Sequence, residues 1–331
     1  MAASAYDTLI ALAPQLMAAP ERLDPAATGM TAIGTSRAGR PLQACRLGHG
    51  PLQLSLIAGC HADEPVGPRL LSVFTGLLQR LPADHPVLRL ATWWIVPHAN
   101  PDGAAVNAPW QTPGADEYDL DLYLRHAVRE RPGEDLEFGF PRDPSDTDAR
   151  PEAQAIAAWW RSAGAPFHFH ASLHGMSYAP GPWYLLEAAW ADRMEPMRRR
   201  CVASCEALGY RLNPVDRGGE KGFTRLAEGF STRPDSRAMQ AHFHGIGDAT
   251  TAALFRPSSM ETIRSLGGDP LTIVSEMPLF LTAPTTDIRD PAFRAAPATD
   301  DGLRPMPVAH QFQLIWHFLA AAIDLIEATG E

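Results

Sequence analysis

Cysteine is scarce in this chain: only Cys45, Cys60, Cys201 and Cys205 occur in 331 residues. No two of them have the CxxC spacing of a structural zinc site, and four are too few to staple a chain of this length, so free thiols are expected. Basic clusters are equally few. The densest is Arg198 to Arg200, and the formal net charge is -10, which argues against a nucleic-acid partner because phosphate binding needs concentrated positive charge. The N-terminal stretch has no lysine or arginine ahead of its apolar residues and is broken by prolines. It resembles neither a secretory signal nor a membrane span, so cytoplasmic residence without a membrane partner is the expectation. Also missing are a GxSxG elbow, a P-loop, a dinucleotide fingerprint and any internal repeat.

What is present reads as one large soluble domain. The chain is 45% hydrophobic and 20% charged, and its length permits one deep core. Its 31 prolines predict prominent irregular connections. An opening amphipathic helix is expected over about 4 to 17, then a proline- and glycine-punctuated passage to Gly39. Two strand-length runs, 41 to 47 and 53 to 59, flank a Gly-His-Gly-Pro turn and read as neighbours. A helix follows, with Leu70, Leu71, Phe74, Leu77 and Leu78 on one face, and then a strand over 88 to 97. Further expectations are an acidic surface loop over 116 to 149, a helix over 151 to 164, a strand around Phe167 and Phe169, and a helix over 183 to 209. An irregular span to about 248, a strand over 271 to 278 and a terminal helix over 309 to 329 complete the outline. The fold class is α/β: a single domain with a mixed, mainly parallel central sheet flanked by helices. A helical lead-in segment over 1–33 and the main domain over 34–331 divide the chain.

Chemistry concentrates in His61-Ala62-Asp63-Glu64, where a buried strand meets a helix. Ligands of open α/β sheets bind beyond the carboxyl ends of the strands. Imidazole nitrogen and carboxylate oxygen at this spacing suit one zinc ion. Read alone, four such residues equally describe a solvated turn. A third ligand is available in APFHFHASLHG, but His168, His170 and His174 alternate along one strand, and spacing does not choose among them.

The order and intervals of several segments decide more. GTSRAGRPLQACRLG at 34 to 48, HADE at 61 to 64, NPDG at 100 to 103, RPEAQAIAAW at 150 to 159, SLHG at 172 to 175 and LTIVSEMP at 271 to 278 together resemble the zinc carboxypeptidase family, over roughly 250 to 280 residues. The resemblance implies a single Zn2+ held by His61, Glu64 and His174, with Glu276 as the catalytic base. It also implies hydrolysis of a peptide bond, or of the amide bond of a small acylated amino acid. Asp119, in the Asp119-Leu120-Asp121-Leu122 segment placed where the family has D-x-N-R, becomes the candidate to hold the outer nitrogen of His61. Asn100 and Asp102 are expected to fix the NPDG turn.

The same comparison exposes departures. Asp121 and Leu122 stand where the family's asparagine and arginine grip the substrate's terminal carboxylate, and neither side chain forms that contact. Gln111 stands where an arginine would face the oxyanion, and no tyrosine follows Tyr210. Arg125, Arg129 and Arg225 are the candidate replacements. These losses keep two further readings open: an amidohydrolase acting on acylated amino acids or modified peptides, and a zinc-containing binding protein without catalysis.

Overall fold

A ten-stranded mixed sheet organises the computed structural model, which describes residues 3–18, 30–283, 286 and 302–330. Most of the passage between the opening helix and residue 30 lies outside these residues. In chain order the strands are β1 (Thr31–Thr35), β2 (Pro41–Leu47), β3 (Leu52–Ala58), β4 (Ala91–Val96), β5 (Phe169–Ala179), β6 (Trp183–Leu186), β7 (Arg225–Ala227), β8 (Phe230–Thr232), β9 (Leu271–Leu281) and β10 (Arg304–Pro305). Their spatial order is β1-β2-β4-β3-β5-β9-β6-β8-β7, with β10 pairing β9. The central four, β4, β3, β5 and β9, are parallel. Antiparallel pairs lie outside them.

The strands β2 and β3 are not neighbours, contrary to the sequence reading. The crossover through helix α3 (Val66–Arg80) brings β4 back parallel to β3, and β2 pairs antiparallel with β4 instead. Such βαβ connections are right-handed, and their pairing is non-local, invisible to a reading of adjacent runs. The face of α3 expected from its periodicity is the buried one: Leu70, Leu71, Phe74, Leu77 and Leu78 all lie in the core. Phe74 meets the rings of Trp93 at 5.1 Å and Trp316 at 4.8 Å.

Other boundaries shift for local reasons. The opening helix divides into α1 (Ala5–Ile10) and α2 (Ala13–Ala18), since Pro14 has no N–H to continue the ladder. Both pack on the terminal helix: Ala5 N donates to Glu327, and the Trp316 indole donates to the Leu9 carbonyl. The edge strand β1 was not foreseen, and the division at 33/34 falls inside it. Residues 86 to 90 form a short helix, α4 (Pro86–Leu90), with Pro86 in its first turn, before β4 begins. The passage read as a helix from 183 instead opens with β6, whose four residues are all buried, and α8 (Glu195–Ala207) follows. The chain up to 248 is not wholly irregular: β7 and β8 form, and residues 242 to 245 close helix α9 (Ser236–Gly245), capped by Asp235.

On the opposite face of the sheet, helix α7 (Pro151–Arg161) buries Ile156 and Trp160, the latter stacked on Phe140 at 5.4 Å. The terminal helix (Val308–Thr329) is long and apolar enough to cross a membrane by length and composition, but most of it is buried against the sheet and α8. The four cysteines are free and buried.

Candidate active site

The end of β3 and the middles of β5 and β9 build the site. After β3, Gly59 adopts φ 71°, and a Cβ there would stand 2.7 Å from the His98 ring. This left-handed turn, open to glycine, swings His61 and Glu64 over the carboxyl edge of the sheet before α3 starts. The parallel strands β5 and β9 set His174 directly beside Glu276 in register. His61 Nδ1 lies 2.8 Å from Glu64 Oε1 and 3.0 Å from His174 Nδ1, and His174 Nδ1 lies 2.8 Å from Glu64 Oε2. His168 and His170 are elsewhere: His168 accepts from Gln53 N, and His170 is held between Ser55 and Ser259.

Two imidazole nitrogens and a carboxylate converging on one point form a donor set that fits zinc. Their separations are slightly below the edge of about 3.3 Å for a tetrahedron with legs near 2.05 Å. Burial opposes ionisation of Glu64, but the two imidazoles outweigh it and hold its carboxyl well below the usual range. A second group, Cys60, Glu137 and His174, also lies close enough to share an ion. Burial and then Glu137 push the Cys60 thiol well up, which disfavours the thiolate a metal requires. The first group is the better fit.

The outer nitrogens meet acids that the sequence reading passed over. Glu137 Oε2 lies 3.1 Å from His174 Nε2, and Ser172 Oγ lies 2.8 Å from it. Glu137 also accepts from Ser172 and Ser259, each at 3.1 Å. Asp135 stands 3.9 Å from His61 Nε2. Asp119 does not reach His61: it caps helix α6 (Leu120–His126) by accepting from Leu122 N at 2.8 Å. Asp135-Leu136-Glu137-Phe138 has the same spacing of its first and third residues, and those two acids, unlike Asp119, face the histidines. The signal was there in Leu136, Phe138 and Phe140 alternating with polar residues or glycine: all three are buried, whereas a surface loop would leave them wet.

The site opens into a cavity of about 580 Å³ whose lining includes His61, His174, Glu276 and Arg129. Burial and the Glu64 carboxylate push the Glu276 carboxyl up to about 7, against the opposing pull of His174, His61 and Arg129. Arg129, 51% exposed at its side chain, reaches Glu64 at 3.1 Å and Asp63 at 3.5 Å. Arg125 and Arg225 are not among the lining residues: Arg125 bonds the Asp121 carbonyl on the exposed side of α6, and Arg225 lies exposed on β7. Gln111 also stays outside the lining, donating to the Ala62 carbonyl. Arg217, Lys221 and Arg233 do line the cavity, though no sequence motif singles them out.

Behind the site, Asn100 caps helix α5 (Pro101–Asn107) by accepting from Gly103 N. Asp102 accepts from Ser36, Ala38 N and Arg40. Asn100 thus fastens the NPDG turn, as expected, whereas Asp102 ties it to the turn at 36 to 40.

Comparisons with known proteins bear on the fold and the family. A model of the zinc carboxypeptidase family matches residues 14–183, just over half of the chain. No curated sequence matches. Among solved structures, bovine thrombin-activatable fibrinolysis inhibitor in complex with tick carboxypeptidase inhibitor is 13% identical with a TM-score of 0.52, over 98% of this chain and 97% of that one. A metallo-carboxypeptidase from Pseudomonas aeruginosa, in complex with (2-guanidinoethylmercapto)succinic acid, is 18% identical with a TM-score of 0.51, over 96% and 67%. Carboxypeptidase A from Helicoverpa armigera is 14% identical with a TM-score of 0.51, over 98% and 72%. At such identities the likeness speaks for the fold, and the family match carries the assignment: the chain belongs to the zinc carboxypeptidase family.

Proposed function

We propose that the chain is a zinc-dependent hydrolase of peptide or amide bonds, with zinc held by His61, Glu64 and His174 and with Glu276 as the base. The observation that carries this reading is the convergence of three ligand atoms within 3.0 Å of one another, one strand away from a carboxyl group poised near neutrality. Zinc, when bound, supplies Lewis acidity, drawing charge from water and from a carbonyl oxygen. Glu276 is placed to take a proton from the attacking water and return it to the departing nitrogen, since a base with a value close to 7 gives up a proton as readily as it accepts one. Arg129, at the mouth beside Glu64, supplies positive charge for the oxyanion that develops on the carbonyl.

Neither Asp121 and Leu122 nor Glu137 and Phe138 offers the guanidinium that grips a terminal carboxylate, which favours a substrate other than a plain peptide terminus. The amidohydrolase reading therefore stays beside the carboxypeptidase one. Metal analysis and turnover of a library of free peptides, amidated peptides and N-acyl amino acids test both. His61→Ala and His174→Ala are expected to lose zinc. Glu276→Gln is expected to keep zinc while turnover falls by about 100-fold or more. Full zinc occupancy in both histidine variants would remove the site, undiminished turnover in Glu276→Gln would remove the base, and zinc binding without any turnover would leave a binding protein.

A further inference from the structure

The cavity has cations on the wall away from the metal ligands: Arg217, Arg233 and Lys221, the one lysine in the sequence. They are held differently. Arg217 lies over the Phe223 ring at 4.7 Å and reaches Glu220 at 3.7 Å, and Lys221 lies 5.8 Å from the Phe243 ring. Both ride on the glycine-punctuated segment 216 to 223. Arg233 is built into the sheet. Its side chain is only 7% exposed, its Nε donates to Thr272 Oγ1 at 3.2 Å, and its Nη2 donates to Glu187 Oε2 at 3.1 Å. Thr272 donates to the same Glu187 oxygen at 2.8 Å, and Arg264 approaches it at 3.4 Å. Among the described residues, Arg233 Nη1 has no hydrogen-bond partner. A guanidinium clamped along one edge presents the other edge pre-oriented, the arrangement that suits two-point recognition of a carboxylate.

Strand register fixes where this fork lies relative to the reacting end. Thr272, Val274 and Glu276 alternate onto one face of β9. On that face His170 pairs Thr272 and His174 pairs Glu276 across β5, while Leu185 pairs Val274 and Trp183 pairs Glu276 across β6. Arg233 thus anchors one end of an apolar stripe whose other end is Glu276. Four residues of strand separate the ends by about 13 Å. The α-carboxylate of a departing residue lies only about 3.8 Å, one residue repeat, from the scissile carbon, too short a reach. A carboxylate at the end of a long side chain, or on a second residue, reaches further along the stripe past Val274 and Leu185, and the side chains of Arg233 and Glu276, which line the same cavity, cover the remainder from the two anchor points.

We infer that Arg233 is the specificity-determining residue of this cavity and binds a distal carboxylate on the departing group. Preferred substrates therefore release an amino acid with a long acidic side chain, or an acidic dipeptide. The inference rests on the hydrolytic reading above for which group departs, but the binding it describes stands apart from turnover. Arg233 lies outside the segment that carries the family match, and it supplies a cation where Glu137 and Phe138 cannot.

The probes are N-acetyl-alanyl-glutamate and N-acetyl-alanyl-2-aminoadipate, each with its side-chain carboxamide counterpart. Wild type is expected to favour acid over amide by about 10- to 100-fold in kcat/KM, expressed mainly in KM. Arg233→Gln is expected to bring acid and amide within about threefold, and Arg233→Lys to keep part of the preference. If loss of the partner of Glu187 prevents Arg233→Gln from folding, the double variant Arg233→Gln/Glu187→Gln removes the orphaned charge. Equal use of acid and amide by wild type, or an unchanged preference in folded Arg233→Gln, overturns the inference. If nothing is hydrolysed, calorimetric titration of the same four compounds separates the two readings. Acid-selective binding that Arg233→Gln abolishes upholds Arg233 while the hydrolytic reading fails, and absent or unselective binding overturns Arg233 as well.

Discussion

Replacing Glu137 by glutamine isolates the group that fixes the orientation of His174. The imidazole can turn Nδ1 towards a metal only as the tautomer protonated on Nε2, and in a buried site that proton needs an acceptor. Two are in reach, Glu137 Oε2 at 3.1 Å and Ser172 Oγ at 2.8 Å. Ser172 spends its own proton on Glu137, as does Ser259, so a single carboxylate accepts from up to three donors. A carboxamide has one oxygen for all three, and if its NH2 group faces His174 the two donors collide. Loss of such an outer partner weakens metal binding by about 10- to 100-fold, or about 1.4 to 2.7 kcal/mol. Ser172→Ala, which leaves the carboxylate in place, is expected to cost under about tenfold, and the double variant is expected to be non-additive because the two groups share one proton. Competition for zinc against a chromophoric chelator measures each dissociation constant. The visible spectrum of the cobalt-substituted protein reports ligand orientation independently of activity. A dissociation constant for Glu137→Gln within threefold of wild type, with an unchanged cobalt spectrum, would refute the reasoning.

Two further outcomes concern the support behind the site. Arg150 links Glu130 at 2.6 Å, Glu152 at 3.2 Å and Asn100 at 3.3 Å, and Glu152 is 0% exposed. Arg150→Met leaves that carboxylate without a cation, with only the Arg37 N–H at 3.3 Å, and is expected to cost about 3 to 5 kcal/mol in urea unfolding; adding Glu152→Gln is expected to recover part of the loss, and a single-variant cost below about 1 kcal/mol would contradict the network. For Asp102, burial raises the carboxyl value, but hydrogen bonds from Ser36, Ala38 N and Arg40 outweigh it and leave the group below its ordinary range. A depressed carboxyl contributes stability above its unfolded value of about 3.9, and loses it as pH falls through the folded value. The stability gap between wild type and Asp102→Asn is therefore expected to be constant above about pH 5 and to close at lower pH; a gap that widens on acidification would reverse the assignment.

What the sequence revealed follows from how local each signal is. Helix α3 was legible because one helical face carries its leucines and Phe74, and that face is the buried one. LTIVSEMP was legible because an apolar run of strand length ends on an acid that burial would otherwise penalise. The place of β4 between β2 and β3 was not, since β4 returns to pair with β2 only after a crossover that starts it 44 positions beyond the end of β2. β6 was hidden because four residues are too few to show a period of two, and the alanine-rich segment after them favours helix. The D-x-N-R comparison fell on Asp119 because Asp-Leu-Asp-Leu has matching spacing. Only packing shows that Asp119 is spent on a helix cap while Asp135 and Glu137 face the histidines. Arg233 was beyond reach for the same reason: a cation's meaning here depends on Thr272 and Glu187, which are remote in sequence.

His61 and His174 lie 113 positions apart, yet they share one point in space, so an ion held there would act as a cross-link closing a very long loop. Before β5 docks beside β3 only His61 and Glu64 are available, three residues apart and mostly hydrated. Tight binding therefore has to wait for the parallel core to assemble, and such non-local pairing forms slowly. The ion then acts as a latch rather than a nucleus: zinc added at the start of refolding is expected to leave the folding rate unchanged and to slow unfolding, as stopped-flow tryptophan fluorescence with and without zinc would show. A faster folding limb would mean that the histidines meet before the sheet does.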